Sequence, residues 1–295
     1  MNWRPPPPWP LLVVLSLATC HRPPATGACP TGTHPLQTAR ERVCVRDNGV
    51  REGPGERFFE DGRVRERGAW RDNKRNGAWQ FFREDGQLLQ EGEWRDGGVL
   101  SLRPAGLTCP AGTQLNGDPP PKGRAVWCQA LMPEHRWRNE GPFMSWHDDG
   151  QPQGLGAFSQ GKPDGEFTMW YPDGALKVRG AYTRGKEQGL WLSWHDNGRL
   201  FIRAVFHDGK EEGPWVSWWE EGVKTAEGEF REGLEHGLWT FWHPNGKQAE
   251  QGTYDGGKKV GWWRVWDGEG REQPMEQYQA GVKVGSASGI PASQP

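Results

Sequence analysis

A strict 24-residue period runs through residues 141–285 and constrains the fold of this chain more than any other feature. The run closes at Gly285 without an insertion, and its six units begin at Gly141, Gly165, Gly189, Gly213, Gly237 and Gly261. Self-similarity at a fixed period is the signature of a repeat architecture. The chain is therefore expected to grow by stacking small supersecondary units rather than by enlarging one globular core.

Two aromatic positions recur in every unit. The first lies two residues after the starting glycine and is occupied by Phe143, Phe167, Trp191, Trp215, Trp239 and Trp263. The second, three residues later, is a tryptophan column formed by Trp146, Trp170, Trp194, Trp218, Trp242 and Trp266. A spacing of three places the two positions on opposite faces of a regular strand, unless a bulge intervenes. The sequence alone leaves that choice open.

Two turn signals divide each unit into a pair of strands. An acidic or amide residue precedes glycine after the column, as in Asn197-Gly198, and a second glycine, often followed by lysine, ends the unit, as in Gly209-Lys210. Asp-Gly and Asn-Gly pairs suit the primed hairpin turns, in which φ is positive. Each unit therefore predicts a β-hairpin, and successive hairpins predict one meandering antiparallel sheet, so the fold class is all-β.

A small residue recurs inside the second strand of the units, at Gly156, Gly180, Ala204, Gly228 and Gly252. Glycine weakens a strand, so its recurrence there indicates that another group packs directly on the bare backbone. A tryptophan ring from the neighbouring strand is the expected group.

The unit pattern G-x-W-x-x-W-x-x-[DN]-G-x(5)-G-x-[FY]-x-x-G-K-x-x-G resembles the MORN repeat, specifically the bacterial variant found in YwqK-type antitoxin proteins. The resemblance covers most of the chain and is specific because the pattern repeats. It implies an elongated, non-enzymatic sheet of β-hairpins that serves as a scaffold or binding surface. An antitoxin role is implied by the family label alone.

Composition agrees with a folded chain that has no nucleic-acid partner. Only 34% of residues are hydrophobic, but 19 Trp and 11 Phe are far more than a disordered chain carries. The net charge is −2 with both signs interspersed. A surface for nucleic acid or anionic lipid would need a clear excess of basic residues.

The N-terminus is interpreted as a targeting segment. Arg4 precedes a proline run, residues 11–18 are apolar, and Leu17-Ala18-Thr19-Cys20 follows. The segment resembles a bacterial lipoprotein signal, with residues 1–19 as signal peptide, lipid on Cys20 and residues 20–27 as a tether; ordinary secretion with cleavage elsewhere is the alternative. The chain is then exported and anchored in a bacterial membrane, facing the periplasm or the cell surface, with no contact with the membrane except through the lipid.

The remaining four cysteines indicate an oxidising compartment. They lie in two similar leaders, and the duplicated spacing favours the disulfides Cys29–Cys44 and Cys109–Cys128. Zinc is the rival, but it would need metal-ligand spacings that these leaders do not show.

The leaders divide the chain into two repeat blocks. Block one, residues 28–102, is a leader plus two units that begin at Gly53 and Gly77, and block two, residues 108–285, is a leader plus the six units. Each leader is expected to cap the open edge of the first hairpin, with binding knobs as the alternative. The last unit departs from the pattern at Glu276 and Val282, and residues 286–295 are predicted to be disordered.

The sequence predicts no catalytic, cofactor-binding or metal-binding residues. His147, His195 and His243 recur only in alternate units, about 20 Å apart, and are interpreted as solvated residues at strand ends. The serine and lysine positions, including Lys186 and Lys210, follow the same period and are interpreted as solvated edge residues.

The tryptophan column is the candidate functional feature. If it faces outward, the six rings form a ladder about 60 Å long, which would be a binding surface; core packing is the preferred interpretation. The function expected from the sequence is an exported repeat scaffold that binds an unknown protein partner at the cell envelope. The alternatives are an antitoxin-like protein that masks a toxin and a glycan binder whose column tryptophans stack on sugars.

Overall fold

The computed structural model describes residues 27–288, and this part of the chain is all-β. The predicted signal peptide, Cys20 and most of the predicted tether therefore lie outside the described residues. The sheets are antiparallel, and strands that follow one another in the chain pair with one another. The prediction of a meandering sheet of β-hairpins is confirmed.

Block one forms a seven-stranded sheet. Its strands are β1 (His34–Gln37), β2 (Glu41–Val45), β3 (Arg51–Phe58), β4 (Val64–Arg71), β5 (Lys74–Phe82), β6 (Leu88–Arg95) and β7 (Gly98–Pro104). The leader supplies β1 and β2, and β2 pairs with the first repeat strand, β3. The leader thus continues the sheet, and β7 forms its other edge.

Block two forms a seventeen-stranded sheet. Its leader and first three units contain β8 (Thr113–Asp118), β9 (Ala125–Leu131), β10 (Trp137–Trp146), β11 (Pro152–Ser159), β12 (Lys162–Pro163), β13 (Gly165–Trp170), β14 (Leu176–Thr183), β15 (Lys186–Trp194) and β16 (Leu200–His207). The third unit ends with β17 (Lys210–Glu211), and the strands that follow are β18 (Gly213–Trp218), β19 (Lys224–Arg231), β20 (Leu234–Trp242), β21 (Gln248–Asp255), β22 (Lys258–Trp266), β23 (Glu272–Gln279) and β24 (Val282–Ala287). The tail predicted to be disordered begins inside β24.

The primed turns are not at the Asx-Gly pairs, as the sequence suggested, but at the second glycine turn of each unit. At Asn197-Gly198 only the glycine has positive φ, and its amide donates to the His195 carbonyl. At Asp208-Gly209 both residues have positive φ, at 53° and 82°, and they join His207 directly to Lys210. The Asx-Gly turns of the units are therefore longer turns closed by a glycine, while the second glycine turn is the two-residue primed turn.

Both disulfides join a leader to its own second strand. Cys29 bonds to Cys44 and Cys109 bonds to Cys128, each with a Cα–Cα distance of 5.5 Å. Each half-cystine pair therefore fastens the start of a block to the strand that precedes its first repeat hairpin.

Tryptophan rings pack directly on strand glycines, as the sequence predicts. A Cβ atom at Gly180 would overlap the Trp191 ring, and the same relation holds for Gly228 with Trp239 and Gly252 with Trp263. The ring comes from the first aromatic position of the following unit, not from the tryptophan column. A sheet only one layer thick thus acquires a core from rings that lie flat on exposed backbone.

Candidate interaction surface

The two aromatic positions lie on opposite faces of the block-two sheet. Register shifts occur beside the column tryptophans, but the extra residue belongs to the partner strand, as where Ser145 pairs with Gly154 and Trp146 with Pro152. Alternation from Phe143 to Trp146 is therefore intact, and the two side chains point to opposite sides. We call the side of the first aromatic position the ring face and the side of the tryptophan column the column face.

The ring face carries two runs of packed aromatic rings. Phe143 contacts Phe167 at 6.3 Å between ring centroids, and Phe167 contacts Trp191 at 6.4 Å. Further along, Trp215 lies 5.5 Å from Trp239. The second-strand aromatics fill the spaces edge-on, as Tyr254 does against Trp263 at 5.1 Å. Pairs of this geometry stabilise a structure beyond the area that they bury.

Block one covers the column face of the first units. Trp146 is 1% exposed and shares one hydrophobic core with block-one side chains that include Trp79, Phe81 and Trp94. Trp170 packs against the same core. Trp194 lines a cleft of about 310 Å³ together with Phe58 and Phe59 of block one. The two blocks are therefore packed together through half of the tryptophan column.

Polar contacts fasten block one to three successive Asx-Gly turns. Gln90 Nε2 donates to the Gly150 carbonyl at 2.9 Å, Arg65 to the Gly174 carbonyl at 3.0 Å and Arg40 to the Asn197 carbonyl at 3.3 Å. A fourth bond runs from Trp94 Nε1 to the Asp149 carbonyl at 2.9 Å. Within residues 27–288, the hydrogen bonds from block one to block two end at Asn197.

A buried ionic cluster lies under the first of these turns. Glu66 is 1% exposed and accepts from Arg75 at 2.7 Å and from Arg57 at 3.2 Å. Burial alone would raise the pKa of Glu66, but Arg75, Arg65 and Arg57 outweigh it and hold the pKa below its ordinary value. Burial lowers the pKa of Arg65, which Glu66 partly offsets. An ionised carboxylate inside the interface is thus matched by several guanidinium groups.

The remaining column tryptophans have no cover from block one. Trp218, Trp242 and Trp266 are half-buried, and cations lie over two of their rings: Lys224 over Trp242 at 5.5 Å and Arg264 over Trp266 at 4.9 Å. Leu238, on the same face, is 61% exposed. We call the column face of the units beginning at Gly213, Gly237 and Gly261 the open stripe.

The three histidines lie at strand ends, as predicted, but they are not fully solvated. His147, His195 and His243 are half-buried, and the Nε2 atom of each lies 2.8–3.1 Å from the carbonyl oxygen of the column tryptophan one unit further on. Because a carbonyl only accepts, Nε2 carries the hydrogen. Tyr171 makes the equivalent bond to Trp194 at 2.8 Å. The sequence does carry a signal for these bonds: in these units the residue after the column tryptophan is His or Tyr, whose ring bears a hydrogen-bond donor.

The lysines beside the primed turns lie at an exposed edge and pair with acids of the next turn. Lys210 Nζ lies 2.8 Å from Glu232, and Lys186 Nζ lies 3.7 Å from Asp208. The hydrogen bond between Lys210 and Glu232 raises the pKa of Lys210 and lowers that of Glu232. Within the described residues, no group of three or more His, Cys, Asp or Glu side chains could hold a metal ion, and no helix is long and apolar enough to cross a membrane.

The fold and its surfaces define a hairpin repeat protein with an extended β surface. Two segments, residues 75–96 and 235–255, match the family model described as the MORN repeat variant. One segment lies in each block, and the match supports a MORN-repeat protein. A search of curated proteins finds no match to the chain.

Similar solved structures include two crystal structures of TcdB2-TccC3, one of them without the hypervariable C-terminal region. The identities are 10% and 9%, with 80% and 84% of this chain covered and TM-scores of 0.17 and 0.19. The chain spans about 16% of the length of those chains. Similarity at this level carries no argument about fold or function.

Proposed function

We propose that the chain is a non-enzymatic, exported repeat scaffold that binds a protein through the open stripe. The observation that supports this most is the unequal cover of one continuous tryptophan column. Its first half packs against a β-sheet, block one of the same chain, whereas Trp218, Trp242 and Trp266 lie outside that shared core and are half-buried. Leu238 is 61% exposed on the same face, and exposed apolar side chains on one face are typical of interaction sites.

The proposal includes export and a lipid anchor. The two disulfides favour an oxidising compartment, and the sequence places a lipoprotein-like cysteine at Cys20. Six residues lie between Cys20 and residue 27, and the seven Cα–Cα steps from one to the other reach about 24 Å when extended. The anchor would hold block one near the membrane and leave the open stripe at the far end of the array.

Site-specific photo-cross-linking in intact cells tests the proposal. A photoreactive phenylalanine replaces Leu238 in the open stripe, and the matched control places it at Leu100, a residue of block one that is 50% exposed. We expect one abundant protein adduct from position 238 and none of the same mass from position 100. Equal labelling from both positions, or no protein adduct from position 238, would overturn the proposal.

The nature of the adduct separates the alternatives that the sequence raised. A toxin in the adduct would assign the antitoxin role. Recovery of polysaccharide on the chain, lost with Trp242→Ala while no protein is cross-linked, would replace the proposed scaffold by a glycan binder.

A further inference from the structure

The open stripe contains a row of side chains in strict cross-strand register. Glu227 pairs with Thr240, Thr240 with Gln251, and Gln251 with Arg264, so the row crosses β19, β20, β21 and β22. These side chains lie on the column face: Gln251 Nε2 donates to Thr240 at 3.0 Å, and Arg264 lies over the Trp266 ring. The row has a carboxylate at one end, a guanidinium at the other and two neutral polar groups at its centre, of which Thr240 is only 5% exposed.

We propose that the open stripe binds the open stripe of a second copy of this chain, through a two-fold axis that runs parallel to the strands between Thr240 and Gln251. The proposal rests on the proposed function, because it names the protein that the stripe binds. A closed dimer in which the same patch meets itself is the commonest form of soluble oligomer.

This axis pairs opposite charges. The rotation exchanges β19 with β22 and β20 with β21, so Glu227 of one copy lies over Arg264 of the other, and Thr240 lies over Gln251. Each charge occurs twice in the interface and meets its opposite both times. Complementary charges of this kind fix the register of an interface and exclude wrong partners.

The two charged groups are free to exchange partners. In the single chain Glu227 pairs with Lys224, and Arg264 pairs with Glu272 at 3.1 Å. The side chains are 39% and 45% exposed. Ion pairs this exposed contribute little, so replacing them by pairs across an interface loses little.

The size of the open stripe matches a stable dimer. Six strands, β18 to β23, spaced about 4.8 Å apart and about eight residues long, present roughly 29 Å by 27 Å, or about 800 Å². Standard interfaces bury about 800 Å² per partner. The internal packing of block one on the first column tryptophans shows that this face accepts a second sheet.

Sedimentation equilibrium of the exported chain carrying Cys20→Ser, which removes the lipid, tests the inference. We expect a dimer at micromolar concentration, and Leu238→Glu should weaken it at least about 100-fold by burying a charge at the interface. Leu190→Glu is the matched control: Leu190 occupies the same position two units earlier, is 47% exposed and lies outside the proposed contact. We expect that variant to dimerise normally.

A charge exchange tests the two-fold register. Glu227→Arg alone and Arg264→Glu alone should each weaken the dimer roughly 10- to 100-fold, and the double variant should recover most of the affinity. Near-ultraviolet circular dichroism checks that each variant is folded. Additive losses in the double variant would overturn the register, as would a dimer insensitive to Leu238→Glu.

The two proposals fail in different ways. A chain that is monomeric to about 100 μM, far above the dissociation constants of stable dimers, overturns the inference of a second copy. If position 238 still cross-links to a different protein, the scaffold function stands. If position 238 cross-links to nothing, both fall.

Discussion

Block one and the last two units of block two are near copies of each other that meet different surroundings. Glu66, Arg75 and Trp79 in block one correspond, 184 residues later, to Glu250, Lys259 and Trp263. Both sets build the same arrangement, in which a cation pairs with the carboxylate and lies over the ring, at 4.9 Å for Arg75 and 4.0 Å for Lys259. The unit alone therefore specifies the local geometry.

The burial of this arrangement decides how much it contributes to stability. The side chain of Glu66 is 1% exposed beneath the first Asx-Gly turn of block two, whereas that of Glu250 is 38% exposed and faces no second sheet. A buried pair left with one partner destabilises strongly, while an exposed pair contributes little. The same three residues thus act as an interface anchor in one place and as a surface pair in the other.

The largest expected effect is the loss of the buried carboxylate charge. Glu66→Gln leaves Arg75 and Arg57 without their counter-charge inside the interface, and we expect the free energy of unfolding to fall by about 3–5 kcal/mol. Urea denaturation monitored by tryptophan fluorescence measures it. The equivalent variant Glu250→Gln should lower the free energy by less than about 1 kcal/mol. Similar losses in both variants would break the comparison.

A smaller effect is expected from the glycine beneath each ring. Gly68→Ala forces the Trp79 ring off the backbone within the core shared by both blocks, and overpacking of this kind lowers the free energy of unfolding by about 1–3 kcal/mol. Gly252→Ala displaces Trp263, which has no second sheet above it, and should lower the free energy less. A larger loss in Gly252→Ala would show that the ring face of the last units is more rigid than the core shared by the two blocks.

The smallest effect is a dependence on pH. The pKa of Glu66 is lower in the folded chain than its ordinary value of 4.5, so its charge stabilises the fold above pH 4.5 and that contribution is lost as pH falls through the folded pKa. The difference in unfolding free energy between the native chain and Glu66→Gln should therefore be constant from pH 7 to about pH 5 and shrink below it. A difference that grows on acidification would contradict the charged state of Glu66.

The repeat period was sufficient to predict the sheet, the hairpins and the rings on the strand glycines. Each of these depends on contacts between adjacent strands, which recur with every unit, so the pattern records them. The turn geometry was misassigned because Asx-Gly pairs also suit a longer turn closed by glycine, and Asp208-Gly209 shows that the primed turn needs positive φ at both residues.

The packing of block one on block two could not be predicted, because its aromatic core uses positions that occur in every unit and its polar contacts come from positions outside the repeat pattern. Gln90, Arg65 and Arg40 reach the turns from positions that vary between units. The residue after the turn glycine carries only a partial signal: it is Gln151 or Ala175 at the first two turns that block one contacts, but it is Arg199 at the third and Val223 at the next turn, which block one does not contact.

Block one contacts only three turns, so the number of later units does not affect the interface between the two blocks. The internal interface ends at Asn197, and each later unit contacts its neighbours in the sheet. Units could be added or removed beyond that point in steps of about 10 Å without disturbing the joint between the blocks. The number of terminal units therefore sets the distance between block one and the end of the sheet where a partner would bind.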